Sequence, residues 1–391
     1  MMFYIRADAN EQTGAGHMMR CLTIAQALTA HTPHPSVLFL CADEDSAALP
    51  RKAGFDVRVL GTDYRNMEAE LTVLTGILSG TSCGDQKGQS KISNSAPAAS
   101  GEKPTMLVDS YHVTDSYLAI LRAFARVVLI DDNMERAYPA DVILNYNFHA
   151  DADRYRELYA NDGTRFLLGP QYAPVRAQFA NRNYKVCEHV EKILILAGGS
   201  DPLNTAGTIY RTICDIKNDI TVSNDRNNDR VAPVFIIVCG RYSEHAAVLN
   251  ALAKENDNLV VLHDVDDMAT LMCESDLCIS ACGSTLYELC AVGVPYVCYA
   301  LADNQMKLAA YLDANGPAPY CGAFHTDREK TLEAVRTQVL RLIGDDAARE
   351  KQSLVQRKMV DGKGAWRITM EPLVSSVITS AGTNIQPDTQ N

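Results

Sequence analysis

Positive charge is in short supply in this chain. Its 36 Lys and Arg stand against 48 Asp and Glu, a formal net charge of -12. So acidic a balance argues against nucleic acid, or an anionic membrane surface, as the main partner. It leaves room for a phosphorylated small ligand, which backbone amides and a few local cations can hold. Long apolar runs are missing too. No stretch has the length of a membrane span, and the N-terminus enters a strand with no basic leader. Neither membrane insertion nor a secretory signal is expected, and the chain reads as cytoplasmic. Cysteine is present 12 times, but Cys187-Glu188-His189 and Cys278-Ile279-Ser280-Ala281-Cys282 lack zinc-site spacing. Others, such as Cys239, Cys290 and Cys298, lie inside apolar runs and read as small buried hydrophobes of a reducing compartment. No metal site and no cofactor is expected. The dinucleotide fingerprint is absent as well, because Met19 stands where the third glycine after Gly14-Ala15-Gly16 would be.

What the chain does have is alternation. Short apolar runs recur at Met2–Ile5, Val37–Leu40, Val57–Val59, Met106–Val108, Val127–Ile130 and Val142–Leu144. A second series follows at Lys192–Leu196, Val234–Val238, Leu259–Leu262, Leu277–Ser280 and Tyr296–Tyr299, with helical stretches between. Continuous apolar runs between helices indicate parallel strands covered on both faces. Two series predict an α/β protein of two doubly wound, Rossmann-like domains, over 1–170 and 171–345. Pro170 and Pro174 mark the junction. A helical segment over 346–375 and a disordered tail over 376–391 complete the expected organisation. Polar insertions near 79–103 and 218–230 read as surface loops.

The most informative segment is Gly14-Ala15-Gly16-His17-Met18-Met19-Arg20, between the first strand and a helix. Gly14 and Gly16 let backbone approach a ligand. The helix start suits a phosphate and disfavours imidazolium, so His17 is the candidate catalytic base, with Arg20 as a nearby substrate-binding cation. The alternative for His17 is a helix cap. Gly198-Gly199-Ser200-Asp201-Pro202 closes a second strand, either as a phosphate-facing loop (Gly199, Ser200) or as a turn capped by Ser200 or Asp201. Gly283, Ser284 and Thr285 would present donors to a pyrophosphate. Glu288 either accepts from two ribose hydroxyls or completes a capping box with Thr285. Asn304 and Gln305 suit sugar hydroxyls or amides, with a helix cap as the alternative. The stretch Asp264–Ala269 could read a uracil through backbone groups, or is a capped helix start.

In order, these motifs, with Asp109-Ser110-Tyr111, Ile130-Asp131-Asp132 and Leu168-Gly169-Pro170-Gln171-Tyr172-Ala173, resemble a family. It is the UDP-2,4-diacetamido-2,4,6-trideoxy-β-L-altropyranose hydrolases of pseudaminic acid biosynthesis and their spore-coat polysaccharide relatives. The resemblance runs over roughly residues 1 to 345, a length consistent with two ordinary domains. It implies a glycosyltransferase-B-like fold, two Rossmann-like domains facing a cleft, with UDP mostly on the second and no metal. It also implies the chemistry: a water activated by His17 attacks the anomeric carbon, and UDP and free sugar leave with inversion. Tyr111 would lie near the sugar, Glu288 on the ribose, and Asn304 with the substrate. The run Ala281-Cys282-Gly283-Ser284-Thr285 is also similar to transferases that add N-acetylglucosamine to the muramyl-peptide lipid. A UDP-sugar-dependent transferase, or a non-catalytic nucleotide-sugar-binding protein, is therefore carried as an alternative.

Overall fold

The computed structural model describes residues 2–9, 15–80, 103–160, 163–216, 232–240, 243–372 and 374. Gly14, the tail over 376–391 and nearly all of both insertions lie outside the described residues.

The chain separates into two compact units. One contains Met1–Tyr146, Ala150–Pro174 and the chain from Gly364; the other contains Asn147–His149 and Val175–Lys363. The first unit holds a seven-stranded sheet in the order β3-β2-β1-β4-β5-β6-β7. Its strands are β1 (Met2–Ala7), β2 (Ser36–Cys41), β3 (Asp56–Val59), β4 (Thr105–Asp109), β5 (Arg126–Ile130), β6 (Val142–Asn145) and β7 (Arg165–Leu168). Every pairing is parallel, for example Tyr4 opposite Leu38 and Met106. The helices α1 (Gly16–Thr29), α2 (Glu44–Lys52), α3 (Leu71–Leu78), α4 (Asp115–Phe124) and α5 (Ala152–Leu158) cross between strands. Helix α1 buries Met18, Cys21, Leu22, Ala25 and Leu28, the positions expected from its 3.6-residue spacing.

The second unit holds a six-stranded parallel sheet in the order β10-β9-β8-β11-β12-β13. It comprises β8 (Lys192–Leu196), β9 (Val234–Cys239), β10 (Leu259–His263), β11 (Leu277–Ala281), β12 (Tyr296–Ala300) and β13 (Tyr320–Ala323). Its described helices are α6 (Thr205–Ile213), α7 (Ala246–Lys254), α8 (Met268–Cys273), α9 (Thr285–Val292), α10 (Met306–Asn315), α11 (Arg328–Gly344) and α12 (Asp346–Met359). The core of this unit joins Ile193, Ile195, Phe235, Ile237, Leu277 and Ile279 of the sheet to Ile209, Val335 and Val339 of the helices.

The last turns are divided between the units. Helix α12 is fastened to the second, where Gln352 Nε2 donates to the Tyr296 carbonyl at 2.6 Å. The buried Arg349 Nη2 donates to the carbonyls of Cys187 and Glu188 at 2.7 and 2.8 Å. Helix α13 (Gly364–Thr369) packs instead on α1 of the first unit. There Trp366, the one tryptophan of the chain, stacks on His31 with ring centroids 4.2 Å apart. Thr369 Oγ1 donates to the Trp366 carbonyl at 2.8 Å and so accepts from His31 Nε2 at 2.7 Å.

Burial lowers the His31 pKa below its ordinary 6.5. A depressed histidine binds fewer protons folded than unfolded. Its contribution to docking α13 is therefore complete above about pH 6.5 and is lost as pH falls from there through the lowered folded value. Trp366 fluorescence and melting temperature, followed from pH 8 to pH 5, are expected to show α13 loosening below about pH 6.5. His31→Gln keeps a donor for Thr369 without a titrating ring and should flatten that part of the profile. An unchanged profile in the variant would remove His31 from the effect.

Candidate active site

In open parallel sheets ligands bind at the carboxyl ends of strands where strand order reverses. In the first unit that point is between β1 and β4. His17 is the second residue of α1, and Asp109 is the last residue of β4. His17 Nδ1 lies 2.6 Å from Asp109 Oδ1, with 14% of the histidine side chain and 1% of the aspartate exposed. Arg20, one helical turn on, sends Nε to Asp109 Oδ2 at 2.6 Å and Nη2 to Asp109 Oδ1 at 2.5 Å. Its Nη1 reaches Asp132 Oδ1 at 3.1 Å and Tyr146 Oη at 2.9 Å, and Nη2 also reaches Asp132 Oδ2 at 2.9 Å. Tyr111, largely exposed, donates to Asp132 Oδ2 at 3.0 Å and sets its ring edge-on to His17 at 4.7 Å.

These contacts fix protons. Burial alone would raise the Asp109 carboxyl, but the Arg20 charge and the hydrogen bonds from Arg20 and His17 together outweigh it and hold the group below the usual carboxylate range. Asp109 is therefore an acceptor only, and His17 Nδ1 must carry the hydrogen between them. Arg20 Nη2 also lies 3.1 Å from His17 Nδ1, but both its hydrogens already point to carboxylates, so that approach is not a bond. The lone pair of the neutral ring is thus on Nε2. Burial, and then Asp132, pushes Tyr111 up, while burial takes Tyr146 to about 12. Both stay phenols.

Arg20 was expected among the substrate-binding groups. A guanidinium has five N–H donors, and Asp109, Asp132 and Tyr146 take all of them. It holds the cluster together and has no donor left for a ligand. In the sequence Asp109 and Asp132 stand only within ordered motifs, with no role assigned, and nothing marks Tyr146. The available signal was an acid directly ending, or following, a buried parallel strand. Asp131 turns the other way: it accepts from Tyr155 Oη at 2.8 Å and from the backbone N–H of Asn133 at 3.0 Å. Among the described residues no cluster of three or more His, Cys, Asp or Glu is arranged to hold a metal ion.

In the second unit strand order reverses between β8 and β11. After β8, Gly198 has φ +81°, and the loop Gly198–Ser200 is exposed. A Cβ on Gly240 would stand 2.3 Å from the Gly199 carbonyl oxygen, so only glycine lets the end of β9 come that close. The cap of α6 is supplied by Asp201, whose carboxylate accepts from Thr205 N at 2.7 Å and Ala206 N at 3.1 Å. After β11, Gly283 and Thr285 are half-buried and Ser284 is exposed, with open space around the Gly283 Cα.

Glu288, in the first turn of α9, does not form the capping box. Its Oε1 accepts from Arg176 Nε at 3.0 Å and Nη2 at 2.8 Å, and Ser284, at the helix N-cap, makes no side-chain cap bond. After β12, Gln305 Oε1 accepts from Leu301 N at 2.7 Å and so ties down its own loop, while Asn304 is exposed. Asp267 caps α8 through Thr270 N at 3.0 Å, the structural role open to that stretch. Gly16 is the first residue of α1, with open space around it.

Residues 195–362 match the model of the glycosyltransferase family 28 C-terminal domain. The uncharacterized protein MJ1062 of Methanocaldococcus jannaschii is 23% identical over 328 residues, 80% of this chain and 58% of that protein. The spore coat polysaccharide biosynthesis protein SpsG of Bacillus subtilis is 25% identical over 248 residues, 63% of this chain and 68% of that one. The crystal structure of Acinetobacter baumannii MurG is similar with a TM-score of 0.58 at 14% identity, covering 94% of this chain and 97% of that one. The fold is glycosyltransferase-B-like. Among the described residues no helix is long and apolar enough to cross a membrane.

Proposed function

We propose that the chain is a UDP-sugar hydrolase that breaks the anomeric C1–O bond with water, without a metal ion or other cofactor, and inverts the configuration. The observation that carries this reading is the His17–Asp109 pair. An ionised carboxylate on Nδ1 fixes the tautomer and stabilises the imidazolium that forms when Nε2 takes a proton from the attacking water. UDP departs with developing negative charge. N–H and hydroxyl donors at Gly283, Ser284 and Thr285, together with the exposed Gly199–Ser200 turn, are suited to receive it more strongly in the transition state than before. Tyr111, beside His17, and Asn304 are assigned to the sugar, and Glu288 to the ribose. The resemblance carried by the ordered motifs makes the sugar a diacetamido-trideoxy hexose destined for a nonulosonic acid of the pseudaminic type. The name of the SpsG relative, a polysaccharide biosynthesis protein, is compatible with that.

A second reading, a UDP-sugar-dependent glycosyltransferase, is favoured by the match of residues 195–362 to a glycosyltransferase domain. In it the same base would deprotonate an acceptor hydroxyl. Incubating the protein with UDP-sugars and no acceptor decides between them. Stoichiometric release of UDP and free sugar supports the hydrolase. Turnover only when an alcohol acceptor is supplied supports the transferase, and no turnover under either condition counts against both.

Glu288→Gln tests the nucleotide side. A carboxylate taking two hydroxyl hydrogen bonds is charge-assisted at each, so losing the charge should weaken UDP binding by about 1–3 kcal/mol. A 2′-deoxy-UDP probe should then lose little further affinity in the variant. Independent, additive penalties for the mutation and the missing hydroxyl would take Glu288 off the ribose.

A further inference from the structure

Two arginine–glutamate pairs in this chain differ in a telling way. Arg6 grips Glu70 with Nε on Oε1 at 2.8 Å and Nη2 on Oε2 at 2.9 Å, the two-pronged match expected of a guanidinium and a carboxylate. Arg176 puts both Nε and Nη2 on the single oxygen Oε1 of Glu288. Oε2 of Glu288 accepts no hydrogen bond from the described residues. Yet the Glu288 side chain is only 17% exposed. That oxygen is not closed off from solvent and, with no donor among the described residues, is placed to accept from a ligand. Arg176 is itself braced, its guanidinium 4.9 Å from the ring centroid of the fully buried Phe179.

We infer that Arg176 is a positioning residue for nucleotide binding: it pins Glu288 by one oxygen and leaves the other to accept from the ribose hydroxyls. This rests on the reading of Glu288 as the ribose ligand. Arg176 also works against protonation of the carboxyl. Burial pushes the Glu288 pKa up, and Arg176 is the charged group that opposes it. Among the charged or titratable groups on and around α9, Arg357, Arg349 and Tyr287 are engaged elsewhere. Arg357 Nη2 goes to Ser353 Oγ, Arg349 goes to backbone carbonyls, and the Tyr287 hydroxyl meets Asn147 and Phe148 N. The turn Ala177–Phe179 carries no titratable side chain.

The test is a double-mutant cycle read by calorimetric titration of UDP and of uridine between pH 5.5 and 8.5. Arg176→Gln is expected to weaken both probes by the same factor, roughly 10- to 100-fold. That loss should grow as pH falls, because burial acting alone lets Glu288 take up a proton. Arg176→Lys keeps the charge and should restore most of the wild-type pH profile. In Glu288→Gln, adding Arg176→Gln should cost nothing further, since the arginine acts through the carboxylate. That double variant buries no unpaired charge, so it keeps the cycle readable if the single arginine variant folds poorly. Three results would overturn the inference. One is a loss for UDP but not for uridine, which would mean a direct phosphate contact. Another is additive penalties in the double variant. The third is wild-type affinity and profile in Arg176→Gln alongside a weakened Glu288→Gln. Wild-type uridine binding by Glu288→Gln itself is a different failure: it removes the ribose reading, and the positioning role with it.

Discussion

His17→Ala is expected to slow UDP release by about 10²–10⁴-fold, the usual worth of a positioned general base, while UDP binding changes by no more than a few-fold. The two observables separate because the groups assigned to the nucleotide lie in the second unit and the base in the first. Asp109→Asn should fall in the same range although it keeps the shape of the side chain. The amide can offer His17 Nδ1 its N–H, which would invert the tautomer and put the hydrogen on Nε2. It also no longer stabilises an imidazolium with a full negative charge. In that variant Arg20 still has Asp132 Oδ1 and Oδ2 at 3.1 and 2.9 Å, so the cluster should hold together and the loss should be in turnover more than in stability. Single-turnover measurement of UDP release with both variants, beside UDP titrations, checks this. Turnover within a few-fold of wild type in His17→Ala would take His17 out of the chemistry. A silent Asp109→Asn beside an inactive His17→Ala would leave the base in place and dismiss its partner.

The fold was legible because its physics is repetitive. A parallel strand covered on both faces has to be apolar throughout, and runs such as Ile193–Leu196 and Val127–Ile130 can hardly be anything else. Two of the four edge strands, β7 and β13, escaped notice for the converse reason. β7 begins with the exposed Arg165 and covers only Arg165–Leu168, and β13 is Tyr-Cys-Gly-Ala, with Gly322 at φ +116°. A half-covered edge needs no continuous apolar run. The end of β1 was cut short at Ile5 because Arg6 looks like a strand terminator, whereas Arg6 is wholly buried and the strand continues to Ala7. The site was legible only where the chemistry is local. Two glycines before a histidine at a helix start are a local pattern. The pairing of His17 with Asp109 spans 92 positions, and that of Arg176 with Glu288 spans 112, so no spacing rule reaches either. Arg20 shows the same limit from the other side. Next to a glycine-rich loop it reads as a ligand-binding cation, and only the two carboxylates brought by β4 and the turn after β5 reveal that its donors are already taken.

The largest expected loss of stability lies at Arg6. Its guanidinium is wholly buried in the first unit, forked onto the equally buried Glu70 and bonded to Asp8 at 2.5 Å. Tyr117 adds a hydrogen bond to Glu70 Oε1 at 2.6 Å, and Asp8 Oδ1 accepts from Ala42 N at 2.8 Å, linking β1 to the end of β2. One cation thus balances two carboxylates away from water. Arg6→Met fills similar volume but strands both acids, and breaking a buried pair from one side costs about 3–5 kcal/mol. Glu70→Gln should cost less, because Asp8 remains to balance Arg6 and the amide oxygen can still accept from it. Combining Arg6→Met with Glu70→Gln should cost less than the sum of the single changes, since one of the two stranded charges is gone. Urea unfolding of the four proteins at neutral pH tests the whole scheme. A loss below about 1 kcal/mol for Arg6→Met would place the pair among surface-like ion pairs and contradict its burial.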